Sequence, residues 1–77
     1  MELTVDELQM LRHASAQGGR FRITGLSPAA MQHAADVART LDGLGLVSVK
    51  VHDVHGQPDL VLVELTRMGQ ERLKDLE

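Results

Sequence analysis

The chain has 77 residues, a length that holds one domain with a thin core. It carries 8 Lys and Arg against 11 Asp and Glu, a formal charge of −3, and has no Cys, Trp or Tyr; Phe21 is its one Phe. These counts exclude thiolate zinc sites, disulfide frameworks, Cys nucleophiles and paired-ring platforms that stack bases, and they weigh against a nucleic-acid binder held by overall basicity.

Thr4 and Glu7 stand at the spacing of a capping box, with Leu3 and Leu8 placed as a hydrophobic staple around it. Asp6 and Glu7 suit the positive end of a helix. Val5, Leu8, Leu11 and Ser15 recur at helical spacing, and Gly18-Gly19 ends the run, predicting a helix over about 5–17. In 20–24, Phe21 and Ile23 alternate with Arg20, Arg22 and Thr24, the period of a short half-buried strand. After a turn at Gly25-Leu26, Ser27 is an N-cap and Pro28 a first helical residue.

The second helix is expected over 27–43. Its apolar set, Ala30, Ala34, Val37, Ala38, Leu41 and Leu44, makes one stripe. The opposite face carries Ala29, Gln32, Asp36 and Arg39, with His33 and Thr40 at its flank. Val47, Val49 and Val51 then alternate with polar residues over 46–52, and 59–65 is rich in β-branched and aliphatic residues. The intervening 53–59, DVHGQPD, has loop chemistry, so 46–65 is expected to be a hairpin with a loop of about 5–7 residues. Thr66 caps a last helix over about 67–76, where Leu65, Gly69, Leu73 and Leu76 share a face. No repeat or linker interrupts the chain, so 1–77 is read as one α+β domain with three helices and a short three-stranded antiparallel sheet.

Two stretches resemble a known family. ARTLDGLGLVSVKV (38–51) is similar to a recognition helix running into a first wing strand, and VELTRMGQERL (63–73) to a second wing strand joined to a C-terminal helix. With the element order, the chain resembles the winged-helix DNA-binding domains of MarR-like and PadR-like regulators. It departs from them in two places. Only 24–27 lie before the long helix, so the family's intervening helix is reduced to a turn or lost, and the wing tip 53–59 has no Lys or Arg.

The resemblance implies a small DNA-binding regulator or accessory factor, with helix 27–43 as recognition helix and hairpin 46–65 as wing. Gln32, His33 and Arg39 are then the residues that reach bases or phosphates. Arg20, Arg22, Lys50 and His52 are further nucleic-acid candidates, forming a positive patch if their strands pair. Asp36 in the middle of the helix face, the charge of −3 and the acidic wing tip favour the alternative, a winged-helix protein-interaction module without DNA binding. Partners are therefore double-stranded DNA or a protein.

His52, His55, Asp53 and Asp59 invite a zinc reading, but they match no metal-site spacing, and no cofactor is expected. Phosphate-loop, zinc-protease and nucleophile-elbow motifs are missing, so no enzyme activity is expected. Leu3, Met10 and Ala14 form a second apolar face on the first helix. Either a homodimer or the folded-back last helix covers it. The N-terminal residues have no basic and apolar leader pattern, and the longest apolar run is Leu60 to Val63, so a soluble cytoplasmic protein without a membrane segment is expected.

Overall fold

A computed structural model describes residues 2–76. Six elements follow in order: α1 (Val5–Ala16), β1 (Arg20–Thr24), α2 (Pro28–Gly43), β2 (Val47–Val54), β3 (Gln57–Leu65) and α3 (Arg67–Leu76). The expected α+β class and element order hold. Residues 25–27 form a turn, and no helix lies between β1 and α2.

Local chemistry sets the helix ends. At α1, Thr4 Oγ1 accepts from the Glu7 N–H at 3.2 Å and Glu7 Oε1 accepts from the Thr4 N–H at 2.7 Å, completing the capping box. Ser27 Oγ accepts from the Ala30 N–H at 3.2 Å and starts α2. Each cap contributes about 1 kcal/mol. Both helices stop in a Schellman pattern. Gly19 N–H donates to Ala14 O (2.8 Å) and Leu46 N–H to Leu41 O (3.1 Å), around Gly18 and Gly45 at φ +84° and +79°. The second of these also fixes the exit into β2, because Leu41 and Leu46 are both buried.

The sheet is antiparallel in the order β1-β3-β2. Its inner face carries Val47, Val61, Val63 and Leu65, buried against Leu11, Met31, Ala35, Ala38 and Leu41 of α1 and α2. Alternation sends Arg20, Arg22, Ser48, Lys50, Leu62 and Glu64 to the outer face. Small Ala35 and Ala38, both fully buried, let α2 lie close to the strands. Gly69 and Leu73 bury one face of α3.

The hairpin differs from expectation. DVHGQPD is mostly strand, and the reversal needs only His55 and Gly56, whose φ values of 54° and 77° are those of a type I′ turn. Pro58 fits within β3 because the register slips between His52 and Asp53: His52 faces Leu60, Asp53 faces Pro58, and Asp59 bulges out. The extra residue flips the alternation, so Pro58 is buried on the same side as Val61.

Two apolar faces also shift. In α2 the buried positions are Met31, Ala35, Ala38 and Leu41: Ala38 and Leu41 belong to the expected stripe, while Met31 and Ala35 take the places expected of Ala30 and Ala34. In α1 they are Glu7, Leu11 and Ala14, whereas Val5 is 71% exposed. Ala14, expected on a face covered by a second subunit or by the last helix, lies wholly in the core and is unavailable to a second subunit. Leu3 and Met10 are partly buried against the same core. The two stripes of α1 are the flanks of one broad arc wedged between α2 and the sheet.

Candidate functional site

The residues nominated from sequence fall into two groups. Gln32, His33 and Arg39 are exposed on α2, opposite its buried stripe. Their polar ends are largely engaged. Gln32 Nε2 donates to Asp36 Oδ1 at 3.0 Å. His33 Nε2 sits 2.9 Å from Asp6 Oδ2, tying α2 to the first turn of α1. A base edge competes with a carboxylate for the Nε2 atom of each. Arg39 alone of the three has neither a side-chain hydrogen bond nor an ion pair among the described residues.

The second group lies on the outer face of the sheet. β1 and β2 do not pair with each other; β3 runs between them and sets three cross-strand rows. These are Arg20–Glu64–Ser48, Arg22–Leu62–Lys50 and Thr24–Leu60–His52. Outer strands of such a row are about 10 Å apart. Arg22 and Lys50 therefore flank Leu62, which is 41% exposed in the centre. Arg20, Arg22, Ser48, Lys50, Leu62 and Glu64 line an open depression of about 400 Å³. Arg20, Arg22 and Lys50 have no ion-pair partner among the described residues. Three cations thus meet one carboxylate here, on a chain whose formal charge is −3.

The groups lie on different elements: Gln32, His33 and Arg39 on the exposed part of α2, whose buried stripe packs on the inner face of the sheet, and Arg20, Arg22 and Lys50 on the outer face of that sheet.

No family model, curated protein or solved structure matches the chain.

Among the described residues no three His, Asp or Glu gather as metal ligands. His52, Asp53, His55 and Asp59 are all exposed, and His55 sits in the turn. No helix among the described residues is long and apolar enough to cross a membrane.

Sequence reasoning missed the two sheet edges. Leu65 N–H donates to Gly19 O at 2.6 Å, which makes 19/65, and hence 21/63 and 23/61, the hydrogen-bonded pairs. The N–H and C=O groups of Arg20, Arg22 and Thr24 therefore point outward from β1, with no partner among the described residues. By the same alternation the outward groups of β2 belong to Val47, Val49 and Val51, and Val49 N–H is taken by Asp42 Oδ2 at 3.0 Å. Only strand order could reveal these edges, and no local pattern encodes it.

Proposed function

We propose that the chain is a winged-helix-type interaction module that binds an acidic protein partner through the outer face of its sheet. The observation that carries this reading is the row Arg22–Leu62–Lys50, extended by Arg20: an exposed apolar centre rimmed by three cations against the single carboxylate of Glu64. Interfaces combine such an apolar centre with a charged rim that steers and orients the partner. The α2 face supports groove reading less well. Asp36 and Asp6 hold Gln32 and His33, and the wing tip offers phosphate no Lys or Arg.

NMR titration of the ¹⁵N-labelled protein tests this with two probes, poly-L-glutamate and a random-sequence DNA duplex. The expected result is that poly-glutamate moves the signals of Arg20, Arg22, Lys50 and Leu62, with affinity falling as salt rises. Binding of neither probe overturns the reading. A duplex that moves Gln32 and Arg39, with a steep salt dependence, replaces it with DNA recognition by α2.

A further inference from the structure

We infer that the open edge of β1 accepts an added β-strand from a partner, an extended segment in which acidic and apolar residues alternate. The inference rests on the protein-partner reading and adds to it the mode of binding and the pattern of the bound segment.

The backbone supplies the first argument. Arg20, Arg22 and Thr24 present three outward N–H donors and three outward C=O acceptors in an extended run. Such an edge is a template for main-chain pairing. The other edge is obstructed at its middle, where Asp42 occupies the Val49 N–H.

The side chains supply the second. Alternation places residues opposite Arg20 and Arg22 on the outer face, and those opposite Phe21 and Ile23 on the inner side. The outer positions meet two guanidinium groups without ion-pair partners, with Lys50 farther along the face. Carboxylates complement them. The inner positions meet a depression of about 260 Å³ between α1, α2 and β1, lined chiefly by Met10, Phe21, Ile23, Ala34 and Val37. Phe21, Ile23 and Val37 are only half-buried there, so an apolar side chain entering the trough would complete their burial. Charge and apolarity thus specify opposite faces of one incoming strand.

A second copy of the chain fits this edge poorly. Antiparallel pairing of two β1 strands sets arginines against arginines, and like charges in cross-strand positions are destabilising.

The test uses a capped seven-residue peptide alternating Glu and Val, a Lys/Val peptide of the same pattern, and poly-L-glutamate, each added to the ¹⁵N-labelled 77-residue chain. In the free protein the amides of Arg20, Arg22 and Thr24 should exchange quickly with solvent, and those of Phe21 and Ile23 slowly. The Glu/Val peptide should slow the three edge amides and shift Phe21, Ile23 and Val37; the Lys/Val peptide should not bind. Arg22→Glu keeps the edge donor but reverses its charge, and should weaken binding about tenfold, the loss of one charge-assisted contact. Arg22→Pro removes a donor that faces away from β3 and should weaken binding similarly while β1 stays paired.

Poly-glutamate binding without edge protection by the Glu/Val peptide overturns strand addition and leaves the proposed function standing. Binding of neither overturns both. Equal binding of the Lys/Val peptide overturns the charge pattern. Edge amides already protected in the free protein, in a concentration-dependent way, assign the edge to a second copy instead.

Discussion

Gly69 packs directly against the backbone carbonyl oxygen of Leu46. A methyl group built on Gly69 would overlap that oxygen and come within 2.6 Å of Leu65 Cδ1. Leu46 cannot easily give way, because its oxygen accepts from the Thr66 N–H and its own N–H donates to Leu41, each at 3.1 Å. Gly69→Ala would gain about 1 kcal/mol in an ordinary helix interior. Here overpacking costs about 3 kcal/mol, so the net change is a loss of about 2 kcal/mol. Urea unfolding should show a lower midpoint with an unchanged slope. A stabilised variant would refute the close approach.

Thr66 should be more sensitive than its role as a cap suggests. Its Oγ1 donates to Gly45 O at 2.7 Å and accepts from the Gly69 N–H at 3.1 Å, joining the end of α2 to the start of α3. Thr66→Val keeps the shape and orphans both groups in a partly buried setting, which should cost about 2 kcal/mol. Thr4→Ala removes a cap whose hydroxyl makes one bond, to the Glu7 N–H, and should cost about 1 kcal/mol. Chemical unfolding of the two variants should preserve that order; equal losses would mean that Thr66 does nothing beyond capping.

The Asp42 carboxylate should be visible in hydrogen exchange. It accepts from the outward-facing Val49 N–H at 3.0 Å. Asp42→Ala should speed exchange of that one amide and lower stability by about 1 kcal/mol. Unchanged exchange at Val49 would show that the edge is not held by this contact.

At the hairpin tip, His55 takes a left-handed backbone, φ 54°, next to Gly56. A non-glycine residue pays for this conformation, and Asn pays less than His because its short side chain bonds locally. His55→Asn should raise stability by about 0.5 kcal/mol. Thermal unfolding at matched concentration checks it, and a lower midpoint would count against the type I′ assignment.

The features legible from sequence were those written in neighbouring residues. Thr4 with Glu7, Ser27 with Pro28, and Thr66 each stand immediately before the helix they start. The hairpin tip reads as a loop in sequence because Gly56, Pro58 and two Asp residues crowd seven positions. Pro58 sits within a strand only because the bulge at Asp59 absorbs it, and a bulge depends on the facing strand. The α2 stripe was displaced because alanines mark a face weakly. Met31 decides it by reaching a core that the helix sequence does not describe. For the site, the alternation of Arg20 with Arg22 and of Lys50 with His52 was readable. That β3 separates the two pairs, and inserts Leu62 between Arg22 and Lys50, is a matter of strand order.

The carboxylate on the Val49 amide also bears on how many partners the sheet can hold. A strand approaching β2 must first dislodge a charged side chain, whereas one approaching β1 meets free backbone. A sheet with two free edges can pass strands from molecule to molecule and grow into a fibre. Here the Asp42 carboxylate blocks the middle of the β2 edge, so growth through both edges is hindered at that side.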